Sequence, residues 1–207
     1  MPRLTVRAFA ELMALPLYEQ VRILQEQKYP KQQPQLFKVP YYAPALNGIR
    51  DFYRVGNDFS AFSVARAKIA AVKLDSKRKN NFRVLDQFEN SSQVTRPLLV
   101  RPSISREALL SKTQLGLKFD LVAEEKGKPR LIFYNCRIAI IEPDIARTTL
   151  ELAQWVLEQR GGSVDLNRLQ LIDLASGKVY AHGSRRPTTM KRAVQNAKVI
   201  EAIWPTI

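Results

Sequence analysis

Two runs of cations hold the side chains of this sequence whose types and spacing best suit chemistry. Lys77, Arg78, Lys79 and Arg83 place four cations within seven residues, interleaved with Asn80, Asn81 and Phe82. Ammonium and guanidinium groups at that density, beside amides, suit the oxygens of phosphate groups. The same run also reads as a solvated loop between helices. Arg185, Arg186, Lys191 and Arg192 form a second cluster of the same kind near the C-terminal end. Residue types that catalyse are sparse by comparison. His182 is the sole histidine, and no carboxylate or nucleophile stands near it in sequence to complete a catalytic set. Such a histidine at a strand exit reads as structural or solvent-facing. The sole cysteine, Cys136, cannot form an internal disulfide, and one cysteine with one histidine excludes a zinc site of the Cys/His type. There is no phosphate-cradling glycine loop, no Gly-x-Ser-x-Gly elbow and no dinucleotide fingerprint.

The elements that must position these groups are clearest between Leu115 and Tyr180. Leu117 to Val122 alternates in polarity and reads as a strand. Lys126-Gly127-Lys128-Pro129 is a turn, and Arg130 to Ile138, rich in aliphatic and aromatic residues, is a second strand, so the pair predicts a hairpin. Glu142-Pro143-Asp144 opens a helix, with proline and acids where the missing amide and the helix dipole favour them. Leu150, Leu152, Ala153, Val156 and Leu157 recur at helical spacing, and Gly161-Gly162 ends the run. Arg168 to Leu174 and Lys178 to Tyr180 then flank the turn Ala175-Ser176-Gly177 as another strand pair. The predicted order is strand, strand, helix, strand, strand.

That order, with Asp120 on the first strand, Asn135-Cys136-Arg137 at the end of the second and the helix Thr149-Leu150-Glu151-Leu152-Ala153-Gln154-Trp155 after it, resembles the core of the RecB-type branch of the PD-(D/E)XK nuclease superfamily over residues 115–180. Such cores place an Asp on one strand and a D/E-x-K triplet near the end of the next. The two carboxylates hold a divalent metal, and the lysine orients or activates water. In this chain Asp120 matches the first Asp, but Asn135 offers a neutral carbonyl in place of a carboxylate. Arg137, in the place of the lysine, is too basic to act as a general base. The resemblance therefore implies a nuclease-like scaffold whose metal chemistry is lost, with no cofactor. The alternative is an active magnesium-dependent nuclease, in which Asp120 joins a carboxylate such as Glu142, Asp144 or Asp173 supplied by another element.

The preceding half is predicted to be helical. Thr5 caps a helix over Val6 to Ala14, and Pro16 opens another over Leu17 to Lys28. Residues 29–44 are a strap with prolines at 30, 34, 40 and 44. Phe37, Tyr41, Tyr42, Phe52 and Tyr53 can pack that strap on the core or offer faces to bases. Helices follow over Ala45 to Arg54 and from Asp58 or Ser60 to about Leu74. Val84 to Phe88 continues as helix or strand, Leu98 to Val100 is a short strand, and Arg106 to Ser111 is expected to be a brief helix. Thr188 is expected to cap a last helix over Thr189 to Ile203. The whole reads as an α+β or α/β protein: a helical N-terminal half, then a small mixed sheet flanked by helices. Residues 1–40 are read as a hairpin and strap, and 41–207 as one α/β domain.

The 207 residues carry a net charge of +14. Residues 41–100 hold the densest share, ten Lys and Arg against five Asp and Glu, and the excess runs through the whole chain. Such a fold attracts polyanions, of which nucleic acid is the commonest. No apolar run approaches the roughly 20 residues that cross a bilayer, and the first residues lack a secretory pattern. The expectation is thus a cytoplasmic nucleic-acid-binding protein, for DNA or RNA, with no membrane contact. Lys77, Arg78, Lys79, Arg83, Arg137, Arg185, Arg186, Lys191 and Arg192 are its candidate phosphate contacts. By analogy of fold it would be an accessory subunit with protein partners, in a nucleic-acid machine of a mobile element or defence system. A basic protein-interaction module without nucleic acid is the third reading.

Overall fold

Asp120 sits where one alternating run becomes two strands. In the computed structural model, which describes residues 1–29, 40–159, 161 and 164–207, the run expected as a single strand over Leu117 to Val122 breaks at Phe119-Asp120, and its halves join different sheets. Most of the strap expected over 29–44, with Phe37, and also Gly162, lie outside the described residues.

In chain order the elements are β1 (Arg3–Thr5), α1 (Val6–Ala14), α2 (Leu17–Lys28), α3 (Ala43–Arg54), α4 (Ser60–Ala70), α5 (Asp75–Glu89), β2 (Leu98–Val100), β3 (Ser105–Leu110), β4 (Thr113–Lys118), β5 (Leu121–Glu125), β6 (Lys128–Asn135), α6 (Pro143–Glu158), β7 (Leu169–Asp173), β8 (Val179–Tyr180) and α7 (Pro187–Ile203). The protein is mixed α+β, and both of its described sheets are themselves mixed. One runs β1-β4-β3, with β1 parallel to β4 and β3 antiparallel to it; the other runs β2-β5-β6-β7-β8, with only β6 and β7 parallel. The helix α6 makes the crossover that a parallel pair requires.

The five-stranded sheet is buried on both faces, which is why β6 reads as a nearly unbroken apolar run. Its side chains alternate between two cores. Leu131 and Phe133 join α1, α6 and α7, while Ile132 and Tyr134 join α3, α4 and α5. On the second side Phe52 stacks on Phe62 with ring centroids 4.6 Å apart, and Tyr53, Phe88 and Tyr134 meet edge to face. Phe52 and Tyr53 therefore belong to the core and are not available to bases. Residues 3–28 share the first core: Leu4, Val6, Phe9, Leu12 and Leu24 are buried in it.

Several local expectations meet the structure directly. Thr5 caps α1, its hydroxyl accepting from the Ala8 amide at 3.2 Å, and α2 spans the predicted residues. The brief helix expected over Arg106 to Ser111 is instead β3. Arg, Glu, Ala and Leu favour a helix locally, but pairing with β4 buries Ala108 and Leu110 on one face, and that non-local gain overrides a weak propensity. The cation run at 75–83 is not a loop but the first half of α5. Its Asn81 is wholly buried and closes α3 from outside: the Asn81 Oδ1 accepts from the Ala45 amide at 3.0 Å, and its Nδ2 donates to the Tyr41 and Lys77 carbonyls. At the last helix Pro187 occupies the opening turn and Arg186 the cap position, displacing the expected Thr188.

Candidate functional site

The β5–β6 hairpin sets Asp120, one residue before β5, beside the end of β6. The Asp120 amide donates to the Ile132 carbonyl at 3.0 Å, and its Oδ2 accepts from the Tyr134 amide at 2.8 Å. On the other side of β6, Asn135 opposes Asp173 in the parallel register, and its Nδ2 donates to the Asp173 Oδ1 at 2.7 Å. Asn135 and Asp173 thus lie side by side, while Asp120, beside Phe133 by extension of the β5–β6 register, stands two residues away from Asn135 along β6. Strands stand about 4.8 Å apart, so the backbones that carry the two acids are two strand spacings apart, with the two-residue offset along β6 adding to that.

Each acid is already occupied. The Arg7 guanidinium from α1 pairs with the Asp120 Oδ2, donates to the Tyr134 carbonyl at 3.1 Å, and lies 4.6 Å over the Phe133 ring. Arg50 from α3 donates to the Asp120 carbonyl at 2.8 Å. Asp173 is fully buried, and its Oδ2 accepts from the Ser176 hydroxyl at 2.5 Å. A metal ion on oxygen ligands needs several of them within about 2.0–2.6 Å. Among the described residues no group of three or more His, Cys, Asp or Glu side chains gathers in a way that could hold one. Asp144 lies elsewhere, on Arg186, with Arg192 at 3.7 Å. Glu142 is the cap residue of α6. The structure does not bring either together with Asp120 into a ligand set.

The remaining predicted residues divide by their partners. Arg137 leaves β6 and pairs with Glu11 at 2.9 Å. Arg83 turns inward, donating to the Cys136 carbonyl at 2.6 Å and to Gln87 at 2.8 Å, and so ties α5 to the end of β6. Arg78 and Lys79 both hold Asp75, at 2.6 and 2.9 Å, while Lys77 lies one residue before them on the same turn of α5. Arg185 pairs with Glu158 at 2.8 Å. Arg186 serves Asp144 and Glu151, and the wholly buried Glu151 also takes bonds from Arg147 and Thr189. Burial pushes the Glu151 carboxyl up, but the bonds from Thr189, Arg147 and Arg186 outweigh it and hold it below the usual range. Lys191 is exposed on α7. His182 is half-buried near Arg147, Glu151 and Arg186, and burial, followed by Arg147, lowers its affinity for a proton. Cys136 is buried, and burial pushes its thiol up to about 12, so it is a poor nucleophile.

Sequence reasoning missed Arg7 and Arg50. Both sit on helices more than 65 residues away from Asp120, and neither lies in a cation run that composition would single out. Two clefts open at this place. One, of about 260 Å³, is lined by Arg7, Glu11, Tyr42, Asn135, Arg137 and Thr149 among others. The larger, of about 540 Å³, lies over the three-stranded sheet and includes Arg3, Arg7, Arg106, Lys118 and Asp120 in its lining. No known protein family matches the chain, and no curated protein is similar to it at a significant level. No helix among the described residues is long and apolar enough to cross a membrane.

Proposed function

We propose that this protein binds nucleic acid on a nuclease-like scaffold that has given up metal chemistry, and that it acts as an accessory subunit of a larger nucleic-acid-processing complex. The observation that carries the binding is how the surplus charge is distributed. Nearly all of the described acids are engaged by arginines or by hydroxyl and amide donors. Lys68, Lys73, Lys112, Lys118, Lys126, Lys128, Lys191 and Lys198 are left solvent-exposed. Solvated lysines on a protein of charge +14 suit a polyanion, whose bound counterions they release. Loss of metal chemistry is supported by Arg7, which supplies to Asp120 the positive charge that a metal would otherwise bring, and by Asn135 in the place of a second carboxylate. Ile138 and Ile140, both more than 60% exposed on the loop after β6, offer a protein partner apolar contact beside this place.

The test is a binding and cleavage titration on labelled single- and double-stranded DNA and RNA across a salt series, with and without magnesium or manganese. An Asp120→Asn variant is run beside the wild type. The expected outcome is binding whose log affinity falls linearly with log salt, no cleavage with either metal, and no loss of binding in the variant. Metal-dependent cleavage that disappears in Asp120→Asn would instead establish a working nuclease. Absence of binding at low salt would leave the basic protein-interaction reading.

A further inference from the structure

The open face of the β1-β4-β3 sheet forms a trough that neither cation cluster of the sequence includes. Residues directly opposite across strands, and every second residue along one, share a face. By register Arg3, Thr5, Gln114, Gly116, Lys118, Ser105 and Glu107 lie on the outer face, while Leu4, Leu115, Leu117, Ala108 and Leu110 are buried on the inner one. The trough runs over this outer face to Asp120 and Phe133 and encloses about 540 Å³. Its floor is at Gly116, in the central strand, where a side chain is missing and the nearest atom to an added Cβ would be the Leu4 carbonyl oxygen at 3.8 Å. A glycine in a strand interior is where another chain can approach the backbone closely.

The charge is arranged to suit an anionic backbone. Arg3, Arg7, Arg106 and Lys118 line the trough against two acids, Glu107 and Asp120. Both acids are neutralised, Glu107 by Arg3 and Asp120 by Arg7. Glu107 also accepts from Gln114. Arg106 stands opposite Leu117 and so starts from the inner-face register, but it is exposed on the edge strand β3, borders the trough there, and has one described bond, to the carbonyl of neighbouring Ser105. Neither it nor the exposed Lys118 of the outer face has a carboxylate partner among the described residues. Ser105 stands opposite Lys118 in the register.

We infer that this trough is where the sugar–phosphate backbone of a nucleic-acid strand lies, with Arg106 and Lys118 on its phosphates and Gly116 leaving room for it; this rests on the nucleic-acid reading above. The experiment measures binding of labelled single strands and duplexes of DNA and RNA to the full chain over a salt series. It compares Arg106→Gln/Lys118→Gln, which removes the two charges, with Gly116→Ile, which fills the floor and leaves every charge in place. Lys126→Asn/Lys128→Gln, at the far turn of the β5–β6 hairpin, removes the same charge elsewhere. The charge variant is expected to bind on the order of 10-fold more weakly near physiological salt and to lower the log–log salt slope by about 1.4–1.8, the value for two phosphate contacts. Gly116→Ile is expected to weaken binding, and the hairpin variant, whose lysines act on the strand only at a distance, to lose clearly less affinity than the charge variant; an equal loss would overturn the trough. Unchanged circular dichroism and melting would exclude misfolding, and a β-branched residue suits a strand. If the wild type binds but Gly116→Ile binds as well as it does, the charges act only at a distance and the trough is overturned. It is equally overturned if Lys79→Gln/Lys191→Gln carries the loss, while the nucleic-acid reading stands. Failure of the wild type to bind any of the probes overturns both.

Discussion

Arginine at position 7 decides what Asp120 can do. A largely buried carboxylate at a strand end can hold a metal, a proton or a cationic side chain, and the guanidinium settles the choice by also bonding the Tyr134 carbonyl and covering Phe133. Asp120→Ala should therefore be chiefly a stability mutation. It orphans the Tyr134 amide and leaves Arg7 without its counter-ion, at a cost of about 2–3 kcal/mol, and Asp120→Asn, which keeps an acceptor, should cost less. Urea midpoints of the two variants check this; a neutral Asp120→Ala would mean that the pair contributes nothing. Glu125 is a second such centre. Arg96 grips both of its oxygens, at 2.8 and 3.1 Å, and Arg130 adds a bond at 2.8 Å, which together hold its carboxyl down to about 2 from an ordinary 4.5. A depressed folded-state value means stability that is present above about pH 4.5 and lost as pH falls toward 2. Glu125→Gln should cost on the order of 2 kcal/mol at pH 7 and flatten the stability profile between those pH values. Denaturant midpoints measured at pH 7, 4 and 2.5 would show it, and parallel profiles for the two proteins would refute it.

At the level of elements, the arginines work as ties between layers. Arg7, Arg50 and Arg83, from α1, α3 and α5, all end on main-chain carbonyls at the open end of the β5–β6 hairpin, where β5 begins and β6 ends. Such charge-assisted bonds satisfy carbonyls where the ladder ends. Helix packing on the opposite side is close. A Cβ on Gly48 of α3 would stand 2.5 Å from the Ala65 Cβ of α4. Gly48→Ala gains helix propensity of about 1 kcal/mol but must force the helices apart, so the net should be a loss of about 1–2 kcal/mol. A raised melting temperature in that variant would show that the helices move apart freely.

For the molecule as a whole, charge and layering act together. The sheet is covered on both faces, so its strands offer little open surface. The outer face of the small second sheet is open, and it lies next to Asp120. The salt-dependent binding expected of the wild type thus belongs to the whole surface, while the place of contact belongs to one face.

How much of this was legible in the sequence follows from the range of the interactions. Strand, strand, helix, strand, strand over 115–180 came from local patterning: the Gly127 turn, the Pro143 start and the apolar period of α6. Elements whose own residues determine their state were readable, α1 with its Thr5 cap among them. Net charge was readable too, since it is a sum over residues. What the sequence could not supply was partnership. That Arg106 to Leu110 is a strand depends on β4, and that most arginines of the two cation runs are held by carboxylates or carbonyls depends on groups brought close by folding. Arg7 reaches Asp120 across 113 positions, and no local period records a pairing at that separation. The sequence alone determined the composition, the excess of positive charge and the order of the locally coded elements. The tertiary structure alone decided which charges neutralise one another and which remain exposed, because ion pairs are set by distance in space, and that distance is fixed only when the layers pack.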